Sequence, residues 1–497
     1  MNASLFRRFS RSLAWAVLFP VFVQAESPGR PPIVRYTLLP DSSLIDDCGP
    51  CGRPTLLLPL RGTLDLQLID ENPVFAHYAI RNIDLLAGWG GEQRYRVTGE
   101  GELTVGGEVA LTQAWRLTLS IDNGNEVRAT EFTNQEPTVE RPWPMLKARL
   151  DETDPGIFFY RIELAAAPFR ELWFSTTAGM TPGLTEPYNV HLTGGDLLAS
   201  DGRVVKRNAE LSRNLGLMPL VPDLGLDAVD LLPGGEVAFS LPDGVFSESL
   251  GDLRDGDVLS DHGRVVRTQA ELIGAFGSEV PPGGEGLDAL QFAAGDEVYF
   301  SVRNGFYSGT LGRQIGRGDL LSSQGTVLRT NAELLSRFKP VDAKTDYGLD
   351  AVHVWPGGEV WFSVEDGFQG PNFENYGRGD LLSDQGYVVI RNLDLVAPFS
   401  PLEDLADFGL DALFIVTDLP PAGGVLPAPT CVSLAVDPGT GNVTFEWKAP
   451  GRVFQLERAE DVLGPWLPRS AIVTEPPAVD PGAAEGSPRG FYRLRQW

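Results

Sequence analysis

The chain has 497 residues, with 67 acidic side chains against 40 basic ones and a formal net charge of −27. Nucleic acid and anionic lipid both bind basic surfaces, so we predict that this acidic protein binds neither. The length allows about three domains, and no segment beyond the N-terminus is long and apolar enough to cross a bilayer.

The first 25 residues predict a signal peptide. Arg7, Arg8 and Arg11 give a basic start, Ser12 to Val23 is a short apolar run, and Ala25 closes a small-residue cleavage site. We therefore expect a secreted protein, extracellular or periplasmic, that inserts into no membrane once the signal is removed. An uncleaved membrane anchor is the alternative.

A secreted chain should hold closely spaced cysteines as a disulfide. Cys48 and Cys51 have the spacing of a thioredoxin motif, but no strand–helix unit surrounds them. Asp46 and Asp47 would also raise a thiol pKa rather than lower it. We predict a disulfide between Cys48 and Cys51, with half of a metal site as the alternative. Cys431 is left over and is expected to be buried.

Residues 26–158 predict an N-terminal β domain. Apolar and polar side chains alternate from Thr63 to Leu68 and from Trp115 to Ile121, which is typical of antiparallel strands with one buried and one exposed face. Asn123-Gly124 follows the second run as a turn signal. We expect a sandwich or a barrel.

Two motifs recur through residues 159–417, each at intervals of 61, 62 and 61 residues. A Gly-Asp pair heads one strand of each copy, with its aspartates at Asp196, Asp257, Asp319 and Asp380. A Leu-Asp-Ala triplet opens another strand, with its aspartates at Asp227, Asp288, Asp350 and Asp411. A period of this length indicates stacked supersecondary units rather than one globular enzyme domain.

Each copy predicts two β-hairpins, hence four strands, followed by a helical turn. Capping-box spacing at Thr268–Glu271 and Thr330–Glu333 indicates that turn. The last opening strand, Leu410–Val416, has no hairpin partner after it. We therefore predict that it pairs with Glu171–Ser175 and closes a propeller of about four blades. Five blades and an open solenoid are the alternatives.

The repeat resembles hemopexin-like propellers. The shared points are Asp350-Ala351 at the opening of a first strand and Trp361-Phe362 at the end of a second. The third strand lacks that family's aromatic cluster, and no Cys pair closes the ring. The resemblance therefore implies a propeller without implying a ligand.

A Pro- and Gly-rich linker at residues 418–430 predicts a further domain boundary. Residues 431–497 resemble a short fibronectin type III-like module through Trp447-Lys-Ala-Pro450, Phe454–Arg458, Trp466 and Phe491–Arg495. Such modules commonly end secreted multidomain proteins of environmental bacteria, so the resemblance implies a bacterial protein. At this length, one strand of the module is expected to be missing.

Few motifs in the chain carry chemistry. No nucleophile elbow, phosphate loop or dinucleotide fingerprint is present. No two of the four histidines have the spacing of a zinc-binding helix. A carboxylate pair in the N-terminal domain would leave no local signature, so catalysis there stays open.

The leading site candidates are the aspartates of the Leu-Asp-Ala triplets, Asp227, Asp288, Asp350 and Asp411. If each opens an inner strand, the carboxylates ring one end of a central channel, and a ring of oxygens suits a hard cation such as calcium. Alternatively, each carboxylate accepts backbone hydrogen bonds in a turn, a role that recurrence in every copy favours.

The aspartates of the Gly-Asp pairs are interpreted as turn residues. Arg317–Asp319 and Arg378–Asp380 spell a cell-adhesion tripeptide, but the repeat already demands their Gly-Asp, so we interpret the match as chance.

These features favour a non-catalytic protein that binds a partner or has a structural role at the cell surface or outside the cell, with a glycan or a surface protein as its ligand. The alternative is a hydrolase that acts on polysaccharide through catalytic carboxylates. A cleft lined by aromatic and acidic residues would favour the hydrolase, and a face of variable loops would favour the binding protein.

Overall fold

The computed structural model describes residues 33–88, 94–107, 112–135, 141–183, 190–218, 223–278, 284–419, 426–437, 439–462, 464–483 and 490–497. This part of the chain is all-β apart from short helices, which confirms the predicted class. It divides into two compact units, one built mainly on Gly29–Leu426 and the other on Pro427–Pro450 with Phe454–Gln496. No helix in the described ranges is long and apolar enough to cross a membrane. The predicted signal peptide and residues 420–425 of the predicted linker lie outside the described residues.

The first unit begins with an antiparallel sheet of nine strands. They are β1 (Ile33–Leu38), β2 (Ser43–Cys48), β3 (Leu56–Glu71), β4 (Phe75–Ala87), β5 (Tyr95–Gly106), β6 (Thr112–Asp122), β7 (Val127–Thr133), β8 (Leu146–Glu152) and β9 (Phe158–Ala167). Consecutive pairing runs from β3 through β9, and β9 pairs with β2, which pairs with β3, so the sheet closes on itself. β1 and β2 lie end to end between β3 and β9. Of the two forms predicted for this domain, a sandwich or a barrel, the closed pairing agrees with the barrel.

Alternating apolar side chains fill the inside of this sheet. Trp115, Leu117 and Ile121 are buried, as are Leu64 and Leu66 of the other predicted strand, and all five belong to one apolar cluster. Fully burying an aliphatic or aromatic side chain contributes roughly 1.5–3 kcal/mol, so this interior holds the sheet together.

The sheet extends past the sequence-based boundary at residue 158, because β9 continues to Ala167. Its last four residues are all buried instead of alternating. Ala165 and Ala167 pack into an apolar cluster that also includes residues of the repeats. The alternation that marks the other strands is therefore missing where this strand ends.

Four four-stranded antiparallel sheets follow, named sheets 1 to 4. Sheet 1 is β10 (Glu171–Ser175), β11 (Leu197–Ala199), β12 (Val204–Lys206) and β31 (Ala412–Val416). Sheet 2 is β13 (Ala228–Leu231), β14 (Val237–Ser240), β17 (Val258–Ser260) and β18 (Arg264–Arg267). Sheet 3 is β19 (Ala289–Phe292), β20 (Val298–Ser301), β23 (Leu320–Ser322) and β24 (Thr326–Arg329). Sheet 4 is β25 (Val352–Val354), β26 (Val360–Phe362), β29 (Leu381–Ser383) and β30 (Tyr387–Ile390).

Outer hairpins and short helices complete the copies. The hairpins join the second and third strands of sheets 2, 3 and 4, and they are β15 (Val245–Ser247) with β16 (Gly251–Leu253), β21 (Phe306–Ser308) with β22 (Arg313–Ile315), and β27 (Phe368–Gln369) with β28 (Asn375–Tyr376). The helices follow the fourth strands, and they are α1 (Asn208–Leu211), α2 (Gln269–Ile273), α3 (Asn331–Leu334) and α4 (Asn392–Val396). The capping boxes predicted at Thr268 and Thr330 are both present.

The predicted pairing of the last repeat strand is confirmed. β31 lies antiparallel to β10, with Glu171 opposite Val416 and Ser175 opposite Ala412. Sheet 1 therefore takes its first strand from the end of the repeat region and its other three strands from the beginning.

A recurring hydrogen bond links each sheet to the next. The serine that ends or follows each second strand donates its hydroxyl to the leucine carbonyl of the next Leu-Asp-Ala triplet, at 2.6–3.3 Å, and the pairs are Ser175–Leu226, Ser240–Leu287, Ser301–Leu349 and Ser363–Leu410. The serines are fully buried, so each bond satisfies a hydroxyl that would be costly to bury alone. The fourth bond runs from sheet 4 back to sheet 1, so the four sheets are joined in a cycle.

The second unit contains two three-stranded antiparallel sheets. One holds β32 (Thr430–Val436), β33 (Val443–Lys448) and β36 (Ala478–Asp480), and the other holds β34 (Phe454–Ala459), β35 (Leu467–Pro468) and β37 (Phe491–Gln496). Phe445, Trp447, Phe454 and Leu456 lie in their shared apolar core.

Candidate functional site

The structure brings the aspartates of the Leu-Asp-Ala triplets to one end of the cycle of sheets. Each lies one or two residues before the first strand of its sheet. Each backbone N–H donates to a serine carbonyl at the end of the second strand, always at 3.3 Å, in the pairs Asp227–Ser240, Asp288–Ser301, Asp350–Ser363 and Asp411–Ser175. We call these four aspartates the aspartate ring.

The ring carboxyls are close enough to perturb one another. Burial raises the pKa of Asp227 to about 7, and the charge of Asp411 adds to the rise while Arg303 opposes it. Burial also raises the pKa of Asp411 to about 6. Both values lie far above the ordinary range of a carboxyl because the charged form loses its hydration there.

Asp288 and Glu365 are neighbouring carboxyls whose interaction contributes to a raised pKa of Asp288. Burial raises the pKa of Asp288 to about 10, and a hydrogen bond with Glu365 and the charge of Asp350 add to the rise. Oδ2 of Asp288 and Oε1 of Glu365 are buried and receive no other hydrogen bond from the described residues. Two neighbouring carboxyls cannot both ionise cheaply, so the protonated form of Asp288 is favoured here.

Arginines supply the opposite charge inside the ring. Arg303 forms an ion pair with Asp227, and its Nε lies 3.7 Å from Oδ1 of Asp288. The charge of Arg378 opposes the rise in the pKa of Asp411. A guanidinium is a rigid, multidentate cation, so Arg303 can serve two carboxylates of the ring at once.

The expectation of a calcium site at the ring gains no support. In the described ranges, no group of three or more His, Cys, Asp or Glu side chains is arranged to hold a metal ion. Arg303 already supplies a cation between two ring members, Asp227 and Asp288. The alternative, carboxylates that accept backbone amides, gains no support either, because the hydrogen bonds to Asp227 and Asp411 come from the side chains of Arg303 and Thr177.

Residues around this constant ring vary among the copies, except that the third and fourth copies share an arginine. The position two residues after each linking serine is occupied by Thr177, Pro242, Arg303 and Glu365. The position before each Gly-Asp pair is occupied by Gly194, Asp255, Arg317 and Arg378. Arg317 and Glu365 form an ion pair across two of these positions. Because structural roles recur in every copy, such variation marks positions that the fold does not fix.

The outer hairpins begin at this same end and carry exposed rings. Phe246, Tyr307 and Phe373 expose 52%, 50% and 84% of their surfaces. One exposed ring lies on each outer hairpin, and loops on a rigid scaffold are where binding residues are most often found.

The aspartates of the Gly-Asp pairs have a purely local role, which confirms their interpretation as turn residues. Oδ1 of each accepts the N–H of the first residue of the following helix, at 2.9–3.2 Å. Oδ2 of each accepts the N–H three residues before it, at 3.0–3.2 Å. Asp319 and Asp380, which end the two adhesion-like tripeptides, are both engaged in this way.

The opposite end of the cycle carries a buried ion pair that sequence reasoning missed. Arg141, from the loop before β8, lies 3.1 Å from Glu359 at the start of β26, and both are almost fully buried. The guanidinium also lies 3.8 Å from the ring centroid of Tyr387. A Cβ at Gly357 would lie 1.8 Å from the carbonyl oxygen of Trp143, so only glycine fits this contact. The N-terminal sheet therefore covers this end of sheet 4.

The cysteines lie apart from these sites. Cys48 and Cys51 form the predicted disulfide, with 5.6 Å between their Cα atoms. Cys431 is half-buried rather than buried as expected. It lies in β32, which is an edge strand of its sheet and is covered less than a central strand would be.

Comparisons with known proteins identify no family. No family model matches the chain, and no curated protein matches it. Among solved structures, the extracellular domain of a hybrid two-component system protein from B. thetaiotaomicron aligns with 7% identity over 88% of this chain and 78% of that chain, at a TM-score of 0.19. A likeness at that TM-score carries no conclusion about fold or function.

Proposed function

We propose that the chain is a secreted, non-catalytic binding protein whose four repeat sheets form a four-bladed propeller, with a fibronectin type III-like module after it. The pairing of β31 with β10 and the cycle of serine hydrogen bonds support the propeller. Two three-stranded sheets around one core support a short module that lacks a strand. The disulfide supports an oxidising compartment and hence export.

The ligand face in this proposal is the end that carries the aspartate ring. The observation that carries it is the contrast between a ring that is identical in every copy and surrounding positions whose residues vary among the copies, with Arg317 and Arg378 as the one repeated pair. Binding residues in repeat folds lie in variable loops on a constant scaffold. The buried Arg141–Glu359 contact leaves the opposite end of sheet 4 covered by the N-terminal sheet.

A glycan or a surface protein fits this face best. Phe246, Tyr307 and Phe373 offer exposed rings, which can stack on sugar faces or anchor a protein interface. The acidic residue Asp255, which precedes a Gly-Asp pair beside the ring, would accept hydrogen bonds from hydroxyl or ammonium groups.

One observation favours the hydrolase alternative. Asp411 is only half-buried and has a pKa raised to about 6, and catalytic carboxyls often show such a shift. A hydrolase would also need a second carboxylate facing the same substrate bond. The two functions are separated by asking whether a bound glycan is cleaved.

The test is a glycan array run beside a polysaccharide hydrolase screen on the purified mature protein. A variant with Phe246→Ala, Tyr307→Ala and Phe373→Ala should bind its ligand at least tenfold more weakly. A control with Leu57→Ala and Val127→Ala, which removes exposed apolar side chains from the N-terminal sheet, should bind as the wild type does. Unchanged binding by the triple variant, or cleavage that Asp411→Asn abolishes, would contradict the proposal.

A further inference from the structure

A second cluster of ionisable groups lies inside one end of the nine-stranded sheet. This is the end where β2 leads into β3, β6 into β7, and β8 into β9. The end that carries Arg141 and packs on sheet 4 is the other one. The cluster is therefore remote from both the aspartate ring and the contact with the repeats.

The inner layer of the cluster consists of two tyrosines and a carboxylate. Tyr95 donates its hydroxyl to Oδ2 of Asp46 at 2.7 Å. Its ring meets that of Tyr160 edge to face, with 6.2 Å between centroids. Asp46 and Tyr160 are directly paired residues of β2 and β9. All three are at most 6% exposed.

Glu152 is the second carboxylate of the cluster, and only one of its two oxygens is paired with another side chain. Its side chain is fully buried, and Oε2 forms an ion pair with Arg128, whose guanidinium lies 5.2 Å from the Tyr160 ring centroid. Oε1 is buried and accepts no hydrogen bond from a side chain in the described ranges, although the backbone N–H of Tyr160 also acts on this carboxylate. Leaving such an atom unsatisfied costs about 1–3 kcal/mol, so a donor from outside would be stabilising here.

The outer layer is partly open to solvent. Arg53 forms an ion pair with Asp46 and lies 5.4 Å from the ring centroid of Phe158. The side chains of Arg53 and Arg128 are 35% and 28% exposed, whereas the two carboxylates beneath them are buried. Two acids and two bases cancel, so the cluster as a whole favours neither anions nor cations.

We propose that this end of the nine-stranded sheet is a binding site for a small, neutral, polyhydroxylated ligand such as a single sugar ring. Carboxylates accept hydrogen bonds from adjacent hydroxyls, guanidinium groups donate to them, and the aromatic side chains of the cluster offer apolar surface to C–H groups. A ligand hydroxyl would donate to Oε1 of Glu152. Arg53 and Phe158 are the exposed side chains that would move aside to admit the ligand. This inference rests on its own residues and does not depend on the function proposed for the aspartate ring.

The test is saturation-transfer NMR on the mature protein with glucose, galactose, mannose and xylose as probes at millimolar concentration. We expect at least one of these sugars to bind, and Glu152→Gln to weaken that binding at least tenfold. Asp84→Asn is the matched control, because Asp84 is an exposed carboxylate paired with Arg96 on the outside of the same sheet. It should leave the affinity unchanged.

Two further measurements keep the result decisive. If Glu152→Gln does not fold, Arg53→Ala removes a partly exposed donor and should also weaken binding at least tenfold. The Phe246, Tyr307 and Phe373 triple variant should bind these sugars normally, which separates this site from the ligand face of the repeats. The proposal is overturned if no probe binds the wild type, or if Glu152→Gln or its Arg53→Ala substitute binds as tightly as the Asp84→Asn control.

Discussion

The Gly-Asp aspartates and the aspartates of the ring recur with the same spacing, yet they lie in opposite surroundings. Each Gly-Asp carboxylate accepts two backbone N–H groups from its own copy. The ring carboxylates instead meet carboxylates and arginines from other copies. One set therefore stabilises a copy from within, and the other exists only where all four copies come together.

This difference shows that recurrence alone does not assign a role to a residue. The Gly-Asp set is a local device, because each of its carboxylates accepts N–H groups only 3 and 12 residues away along the chain. The ring is costly, because burial removes the hydration of four carboxyls. Its counter-charges come from positions that vary, so each copy compensates the cost in its own way.

Removing the closing strand β31 should have the largest effect. The aspartate ring needs all four copies, whereas each Gly-Asp carboxylate needs only its own copy. A chain ending at residue 407 lacks β31, which exposes the edges of β10 and breaks the link from sheet 4 to sheet 1. We expect aggregation or loss of cooperative unfolding, measured by calorimetry and light scattering. A chain ending at Leu426 keeps β31 and should unfold cooperatively. If the shorter chain stays monomeric and hydrogen exchange changes only in residues 349–390, the array is open.

Substitution inside the Gly-Asp set should cost nearly as much as an interior cavity. Asp380→Ala leaves the N–H groups of Gly377 and Asn392 without an acceptor. Each buried orphan costs about 1–3 kcal/mol, so we expect a loss of about 3 kcal/mol in the free energy of unfolding in urea. Asp404→Ala, at an exposed position, should change it by less than about 0.5 kcal/mol. Equal effects would mean that the turn does not need its carboxylate.

The ring should make stability depend on pH. The pKa values of Asp411 and Asp227 are raised to about 6 and about 7, so the folded state holds these protons more tightly than the unfolded state does. This contribution is complete below pH ~4 and is lost as the pH rises through 6 to 7. Asp411→Asn should therefore be about as stable as the wild type at pH 4 and more stable by about 3 kcal/mol at pH 8. If Asp411→Asn were less stable than the wild type at pH 8, the predicted direction of the pH dependence would be wrong.

The hydrogen bonds between sheets should have the smallest effect of these. Ser363→Ala removes the 2.8 Å bond to the Leu410 carbonyl, and we expect a loss of about 1 kcal/mol in the free energy of unfolding. Ser336→Ala, which removes a bond of the same length at an exposed site, should cost less than about 0.5 kcal/mol. Similar costs for the two serines would show that the cycle gains nothing from these bonds.

The sequence predicted strand pairing and burial correctly wherever these depend on the pattern within a single segment. Counting opening strands was enough to pair Leu410–Val416 with Glu171–Ser175, because an unpaired strand needs a partner. Alternation placed Trp115 and Leu117 inside their sheet. The same reasoning failed in β9, whose buried end touches the repeats and no longer alternates.

The chemistry of the sites was much less accessible from sequence. The ring could be predicted as a meeting of four aspartates, because the repeat carries them to equivalent places. The ion pair by which Arg303 offsets the charge of the ring could not be predicted, since that position holds a different residue in each copy. Glu152 and Asp46 come from strands about 100 residues apart, and only the closed sheet brings them near each other.

Infrared spectroscopy of the protonated carboxyl group tests the contrast between the two sets most directly. At pH 7 the exposed carboxyls are ionised, so an absorbance from protonated carboxyl C=O groups should report the ring and other buried acids. We predict that this absorbance is present at pH 7, falls in Asp288→Asn and is unchanged in Asp380→Asn. No such absorbance at pH 7, or an equal fall in both variants, would contradict the account.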